Sequence, residues 1–319
     1  MSGSNDHIGT ASRRYGKATI ADAEALLRRG GLVAVPTETV YGLAADSTNA
    51  AAVAEIYRTK GRPDFNPLIV HVPDLHAATM LGQFNDLAVE FAETFWPGPL
   101  TLVVPKAVNC PVVPAVTAGL DTIALRCPAH PVMRELLSIP GLFLAAPSAN
   151  RSGGISPTTA DHVTRSLGDA VPLILDGGAC EKGIESTIIA VDDGDYRILR
   201  PGPVTPAQLA AIAGKPAATS DRGTIEAPGQ LLSHYAPAKP VRLDIETAQC
   251  DEYHIGFGAV PGDINLSAHS DLAEAASQLF AALHLAEASE KPRIAVAPIP
   301  DSGIGLALND RLRRAASPR

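Results

Sequence analysis

The sequence predicts an α/β protein in two units, a larger one on a mixed twisted sheet and a smaller α/β one behind it. Three observations carry that expectation. Short, apolar, β-branched runs alternate with amphipathic stretches of helical period from about residue 20 onward, as expected of helices layered on a sheet. The 319 residues exceed one average domain. Residues 215–240, rich in Pro, Ala, Gly, Ser and Thr and without apolar periodicity, interrupt the pattern and read as an extended linker. The expected units are therefore 1–214, the linker 215–240, and 241–319, the last near the lower size limit of independent stability.

In the first unit, the amphipathic stretch 21–29 predicts a helix that stops at Gly30-Gly31, and the run 32–35 predicts a buried strand. Asn49 is placed to cap a helix running to Lys60, ended by Gly61 and Pro63. Residues 68–72 form the next apolar strand. A helix over 86–95 leads through the turn Trp96-Pro97-Gly98-Pro99 into a strand over 100–104. Strands are expected at 142–146 and 171–175, with a helix over 157–167 between them, Ser156 as its N-cap and Pro157 in its first turn. Residues 186–191 and 196–199 look like late strands of the same sheet. Beyond the linker, 241–245, 254–257 and 293–298 suit strands, and 271–288 and 307–316 suit helices.

Composition narrows the function. Apolar residues make up 46% of the chain, enough for a sizeable core, and the formal net charge of -8 argues against broad contact with phosphate backbones. Cys110, Cys127, Cys180 and Cys250 form no Cys-x-x-Cys pair, so a zinc knuckle or redox dithiol is not expected and no metal-ligand set is assigned. The polar first 14 residues lack the apolar core of a signal peptide, and no apolar run approaches the roughly 20 residues of a membrane span. A cytoplasmic protein is expected.

The usual nucleotide motifs are missing. There is no phosphate-binding Gly-x-x-x-x-Gly-Lys-Ser/Thr loop and no kinase set, and Gly256-Phe257-Gly258 and Gly303-Ile304-Gly305 read as turns. Lys60-Gly61-Arg62-Pro63 permits two readings, ordinary helix-stop chemistry with cations offsetting the macrodipole or a pair of cations clamping phosphates. Asn66 follows, and His71 interrupts an apolar strand, as a satisfied core residue or a ligand group. Within 147–158, capping accounts for Ser156 and Pro157 but not for Ser148 and Asn150, which gives those two a claim to a ligand role. Residues 36–43 follow the first buried strand, where α/β sheets keep their sites, and Glu185-Ser186-Thr187 precedes a late strand.

Together these segments resemble the YrdC family in its longer two-domain form, the L-threonylcarbamoyladenylate synthases. The matching pieces are PTETVYGLAADS at 36–47, KGRPDFNPLIVHV at 60–72, WPGPLTLV at 96–103, PSANRSGGISPT at 147–158, GIESTI at 183–188, LRPGPVT at 199–205 and PGQLLSHYAP at 228–237. ALNDRLRRAA at 307–316 resembles the close of the accessory domain. The order and spacing agree over roughly 17–240, and several independent motifs in sequence make the match specific.

The resemblance implies a YrdC-like twisted mixed sheet with helices around an open cleft, plus a small Rossmann-like domain. It implies an ATP site of Lys60, Arg62, Asn66, Thr122, Asn150, Thr158, Arg200 and Tyr235, with Lys60 and Arg62 as the catalytic cations on the phosphates. Thr39, His71, Arg126, Ser148 and Ser186 would line an L-threonine pocket, Arg126 pairing with the amino-acid carboxylate. The implied reaction joins L-threonine, bicarbonate or CO2 and ATP, with Mg2+ on the triphosphate, into threonylcarbamoyl-AMP and pyrophosphate for tRNA modification. Positioning and charge neutralisation would carry it, with Tyr235 closing over the site. tRNA would be met only indirectly, through a downstream transferase. The rival from another class is a double-stranded RNA or tRNA-binding module, which the net charge disfavours. A carbamoyltransferase accessory domain is a weaker alternative, since the extra metal-binding motifs of such proteins are missing.

Overall fold

The computed structural model describes residues 14–218, 226–228 and 235–317. Expectations for the first 13 residues, for part of the linker, and for 229–234 of the 228–237 motif lie outside them.

The chain opens with a short hairpin, β1 (Arg14–Tyr15) and β2 (Ala18–Thr19), and α1 (Ile20–Arg28) follows directly. Thr19 starts α1 by a reciprocal capping box, its hydroxyl accepting from Asp22 N and the Asp22 carboxylate accepting from Thr19 N. Then come β3 (Val33–Val35), β4 (Gly42–Asp46) and α2 (Ala50–Lys60). The Asn49 side chain caps α2 by accepting from Ala51 N and Ala52 N, and Gly61, at φ 60°, ends it in the left-handed conformation that glycine adopts without strain. β5 (Ile69–His71), α3 (Leu75–Thr79), α4 (Asp86–Phe95), β6 (Leu100–Pro105), β7 (Thr122–Arg126), α5 (Pro131–Leu137), β8 (Leu144–Ala145) and α6 (Ala160–Leu167) continue the unit. It closes with the hairpin β9 (Thr187–Asp192) and β10 (Asp195–Arg200), and with α7 (Pro206–Ala213).

These strands form one eight-stranded mixed sheet in the order β10-β9-β6-β7-β5-β8-β4-β3. Side chains alternate between its two faces. Val70, Leu102, Val104, Leu125 and Ile189 pack on one side with Phe91 of α4 and Ile56 of α2. The other side carries Ile69, Val103, Ala124 and Ile188 with polar residues among them.

After the linker, β11 (Val241–Arg242), β12 (Glu252–Gly256), β13 (Ile264–Asn265), α8 (Leu272–Ala288), β14 (Arg293–Val296) and α9 (Gly305–Ala316) build the smaller unit. Its four strands are all parallel, in the order β11-β14-β12-β13. Among the described residues no helix is long and apolar enough to cross a membrane.

Four local expectations are corrected. The helix expected over 157–167 begins at Ala160 with Thr159 as its cap, because residues before it are held extended by other strands' partners. Tyr41 N donates to Pro157 O at 2.8 Å, Cys180 N donates to Thr158 O at 2.9 Å, and the Ser156 hydroxyl is engaged by Glu185 rather than by a helix end. The strand expected over 171–175 narrows to a bridge between Ala34 and Ile174, and that over 142–146 to Leu144–Ala145. Gly305 opens α9 instead of lying in a turn. β4 and β7 had no strand signal: Gly-Leu-Ala-Ala-Asp has little β propensity, and β7 is five residues long and ends on a charge.

Candidate active site

The polar side of the large sheet becomes a binding floor because the register lines up residues far apart in sequence. On β5 and β7, Ile69 and His71 face the same way as Ala124 and Arg126, with His71 paired beside Arg126. On β6, Thr101 shares that face and its hydroxyl lies 2.7 Å from that of Ser186, just before β9. Arg200 ends β10 and donates from Nε and Nη2 to the Ser186 carbonyl at 3.0 and 2.9 Å, with a further Nη2 bond to the Ser186 hydroxyl at 3.0 Å.

The segment after β3 folds back over this floor. Thr37 turns it, its hydroxyl donating to Val40 O at 2.7 Å and lying 2.8 Å from the Thr39 hydroxyl. Arg126 is then gripped from three sides, by Glu38 Oε1 at 2.6 Å from Nη2, Thr39 Oγ1 at 2.9 Å from Nη1, and Gly98 O at 3.2 Å from Nε. The other Glu38 oxygen accepts from Ala129 N at 3.0 Å. A guanidinium has five N–H donors, so one on each terminal nitrogen stays open, in the fork that fits a carboxylate. Burial opposes the charge of Glu38, but Arg126 outweighs it and holds the carboxyl below its ordinary range. Burial first, then the Arg126 charge, pushes His71 down to about 3, so the ring is neutral. Its Nδ1 is buried with no hydrogen-bond partner.

Three more cations stand nearby. The Lys60 ammonium, at the end of α2, donates to the carbonyls of Ser148 and Asn150, and Ser152 N returns a bond to Lys60 O at 2.8 Å. Arg62 donates to Asn66 O at 3.2 Å and Pro67 O at 2.8 Å. Lys60, Arg62 and Arg200 are 3%, 8% and 4% exposed, and none has a carboxylate within ion-pair distance among the described residues. Burial, joined by the neighbouring Arg62, presses the Lys60 pKa well below its usual value, and burial lowers Arg62 to about 10. A buried cation without a counter-charge is costly, and an anion brought alongside relieves that cost.

Of the thirteen residues the sequence singled out, Thr39, Arg62, His71, Arg126, Ser148, Ser186, Arg200 and Tyr235 line one pocket of about 50 Å3. Lys60 meets its rim through Ser148. Asn66 is buried with neither side-chain polar atom partnered. The Asn150 amide bridges Arg151 O and Gly154 O, leaving Oδ1 without a partner. Thr158 lies against His162. Thr122 is at the far end of β7, four residues and ~13 Å along the strand from Arg126.

Sequence reading missed Thr101 and gave no role to Thr37, Glu38 and Glu185 within the segments it picked out, although all four line the pocket or hold its walls. Thr101 carried a usable signal, since it interrupts an apolar strand as His71 does. The pairing of Glu38 and Glu185 carried none, because their partners are 88 and 126 residues away.

Comparison with known proteins places this geometry among relatives. A family model of Sua5, YciO and YrdC proteins, described as "telomere recombination", matches residues 25–202. A second, for the threonylcarbamoyl-AMP synthase C-terminal domain, matches 204–317. The chain is 38% identical to the threonylcarbamoyl-AMP synthase of Bacillus subtilis, over 94% of this chain and 93% of that protein. It is 37% identical to that of Pyrococcus abyssi, over 93% and 94%. The crystal structure of P. abyssi Sua5 complexed with L-threonine superposes with a TM-score of 0.84 at 34% identity, covering 93% of this chain and 94% of that one.

Proposed function

The chain belongs to the Sua5/YciO/YrdC family and carries the threonylcarbamoyl-AMP synthase C-terminal domain, and from that premise we propose that its cleft makes threonylcarbamoyl-AMP and pyrophosphate from L-threonine, bicarbonate or CO2, and ATP. One observation carries the assignment of the residues: three buried cations without carboxylate partners among the described residues, Lys60, Arg62 and Arg200, border a pocket whose other cation, Arg126, is already neutralised by Glu38. The unpaired three suit a triphosphate, and the neutralised one suits an amino acid that brings its own ammonium.

In this reading the threonine carboxylate docks on the open fork of Arg126, with Thr39, Ser148 and Ser186 around it. Neutral His71 offers Nδ1 to the amine or hydroxyl. An α-amino group with a pKa of about 7.7–8.0 loses its proton readily and attacks the carbon of CO2. The carbamate oxygen so formed attacks the α-phosphorus, and the bond to the leaving pyrophosphate breaks. Lys60 and Arg62 neutralise the developing charge, as positioned cations do in phosphoryl transfer. Asn66, Thr122, Asn150, Thr158, Arg200 and Tyr235 hold the rest of the nucleotide along the sheet. Mg2+ enters with ATP, held by phosphate oxygens and water. Glu38 and Glu185, the carboxylates of the pocket, are engaged by arginines and leave the ion to the substrate.

Catalysis is assigned to 1–214, the cover to 215–240 and the accessory unit to 241–319. The reaction is placed in the cytoplasm, its product passing to a downstream transferase that acts on tRNA. Burial of the cleft cations gives an RNA-binding face no support. The test is incubation with ATP, Mg2+, bicarbonate and threonine, with mass analysis of the nucleotide. Threonylcarbamoyl-AMP is expected, and its formation without threonine or bicarbonate, or its absence with both, overturns the reading.

A further inference from the structure

The smaller unit reaches the pocket through one side chain that no expectation covered. Arg311, on α9, is fully buried at 0% exposure. Its Nε donates to Glu185 Oε2 at 2.8 Å and its Nη1 to Asp310 Oδ2 at 2.7 Å. Its guanidinium carbon lies 5.1 Å from the centroid of the Tyr235 ring, within cation–π range. Arg311 Nη2 has no hydrogen-bond partner among the described residues.

Both contacts bear on the pocket. Glu185 and Tyr235 line it, and Glu185 immediately precedes Ser186. The second Glu185 oxygen takes the Ser156 hydroxyl at 2.5 Å, which fixes the carboxylate between the two units. Tyr235 has a φ of 62°, a left-handed conformation that strains a non-glycine residue and persists only where packing over-determines it. Part of that packing comes from the smaller unit: Phe280 of α8 lies 5.7 Å from the Tyr235 ring and joins it in a buried cluster with Val40 and Ile155 of the larger one. The loop carrying Glu185 is seated the same way. Gly183 sits at φ 69°, and a Cβ there would come within 2.5 Å of Ser277 Cα and Ala276 O of α8.

We infer that Arg311 is a positioning residue for the reaction proposed above: from the C-terminal unit it fixes Glu185 and the Tyr235 ring so that the pocket closes around its substrates. There is an electrostatic side to this. Glu185 lies close enough to Arg200 to act on its charge. Occupied by Arg311, its carboxylate leaves Arg200 free for the nucleotide. Released, it would turn on Arg200 and quench one of the three unpaired cations. A role as mere domain glue would show in stability alone.

The test uses the full chain and two measures that do not depend on how much enzyme is active. These are the KM for ATP and the ratio of free AMP to threonylcarbamoyl-AMP at early times. Arg311→Met is expected to raise KM for ATP by about tenfold and the AMP ratio several-fold, as when a cover over a hydrolysis-prone intermediate fails. Arg311→Lys, which keeps the cation, is expected to recover part of both. Should Arg311→Met fail to fold, Asp310→Asn carries the same test, since it loosens the clamp on Nη1 from a partly exposed side chain; about a threefold change in the same measures is expected. Wild-type KM and wild-type ratio in a folded Arg311→Met, or in Asp310→Asn where Arg311→Met does not fold, overturn the inference, whatever happens to the melting temperature. Failure of the underlying reading is separate, because the wild-type chain would then form no threonylcarbamoyl-AMP.

Discussion

Removing Glu38 should destabilise the protein far more than a surface substitution, and the size of the effect follows from its surroundings. Its side chain is 6% exposed and that of Arg126 is 4% exposed, so solvent screens neither. Glu38→Ala leaves the Arg126 Nη2 without its carboxylate and the Ala129 N–H without its acceptor. Breaking a buried pair by deleting one partner costs about 3–5 kcal/mol, and an orphaned buried N–H adds about 1 kcal/mol or more. Against a total stability on the order of 5–15 kcal/mol, this is a large fraction. At roughly 2–4 °C per kcal/mol, the melting temperature should fall by about 8–24 °C. Because the folded pKa of Glu38 lies below its unfolded value, the charged pair contributes fully above the unfolded pKa and its contribution fades as pH falls through the folded one. The assay is urea unfolding of wild type, Glu38→Ala, Arg126→Met and Glu38→Met/Arg126→Met at pH 7 and at pH 4. The double variant should recover most of the loss while losing threonine binding, since a neutral buried pair carries no stranded charge. A Glu38→Ala variant within about 1 kcal/mol of wild type would refute the reasoning.

Arg126→Ala should weaken threonine binding far more than ATP binding in calorimetric titrations, and equal losses would count against its contact with the amino-acid carboxylate. Lys60→Ala and Arg62→Ala should do the reverse, each lowering ATP affinity by about tenfold or more with threonine affinity nearly kept. Thr101→Val removes the hydroxyl 2.7 Å from Ser186; at about 1 kcal/mol, threonine affinity should fall about fivefold, and unchanged affinity would show that Ser186 is held without it. His71 titrates at about 3 in the folded chain and near 6.5 when unfolded. The unfolded state therefore binds more protons between those values, and stability should rise with pH across that window by up to about 1.4 kcal/mol per unit. His71→Gln should flatten this slope, and an unaltered slope would mean the ring is solvated.

The electrostatic plan of the cleft is economical. Two arginines, Arg126 and Arg311, each hold a carboxylate, while Lys60, Arg62 and Arg200 have backbone carbonyls and hydroxyls as partners and no carboxylate among the described residues. Carbonyl partners keep a buried cation hydrogen-bonded without cancelling its charge, so the site stays attractive to phosphate before substrate arrives.

Much of this protein was legible in one dimension because the deciding interactions are local. α1, α2 and α4 start at Thr19, Asn49 and Asn85, whose side chains reach N–H groups two or three residues on, and such caps need no knowledge of the rest of the chain. The pair at 60 and 62, the Ser148-to-Asn150 loop and the odd polar residue in strand 69–71 were visible for the same reason. Local reading failed where a distant partner outcompeted it. Ser156 was chemically fit to cap a helix, but Glu185, 29 residues on, takes its hydroxyl and Tyr41 holds the next carbonyl, so α6 starts three residues later than that cap would put it. Thr101 could not be matched to Ser186, nor Glu38 to Arg126, until β6, β7 and β9 were set side by side.

Sequence alone determined the alternation of helices and strands, the cations at the end of α2, and the motif order that named the family, because each rests on neighbours within a turn or a strand. Only the tertiary structure decided which cations keep their charge unpaired, which carboxylates neutralise the others, and that Arg311 of the second unit reaches the wall of the pocket in the first. Coulomb interactions depend on separation in space and on burial, and strand register together with domain docking sets both.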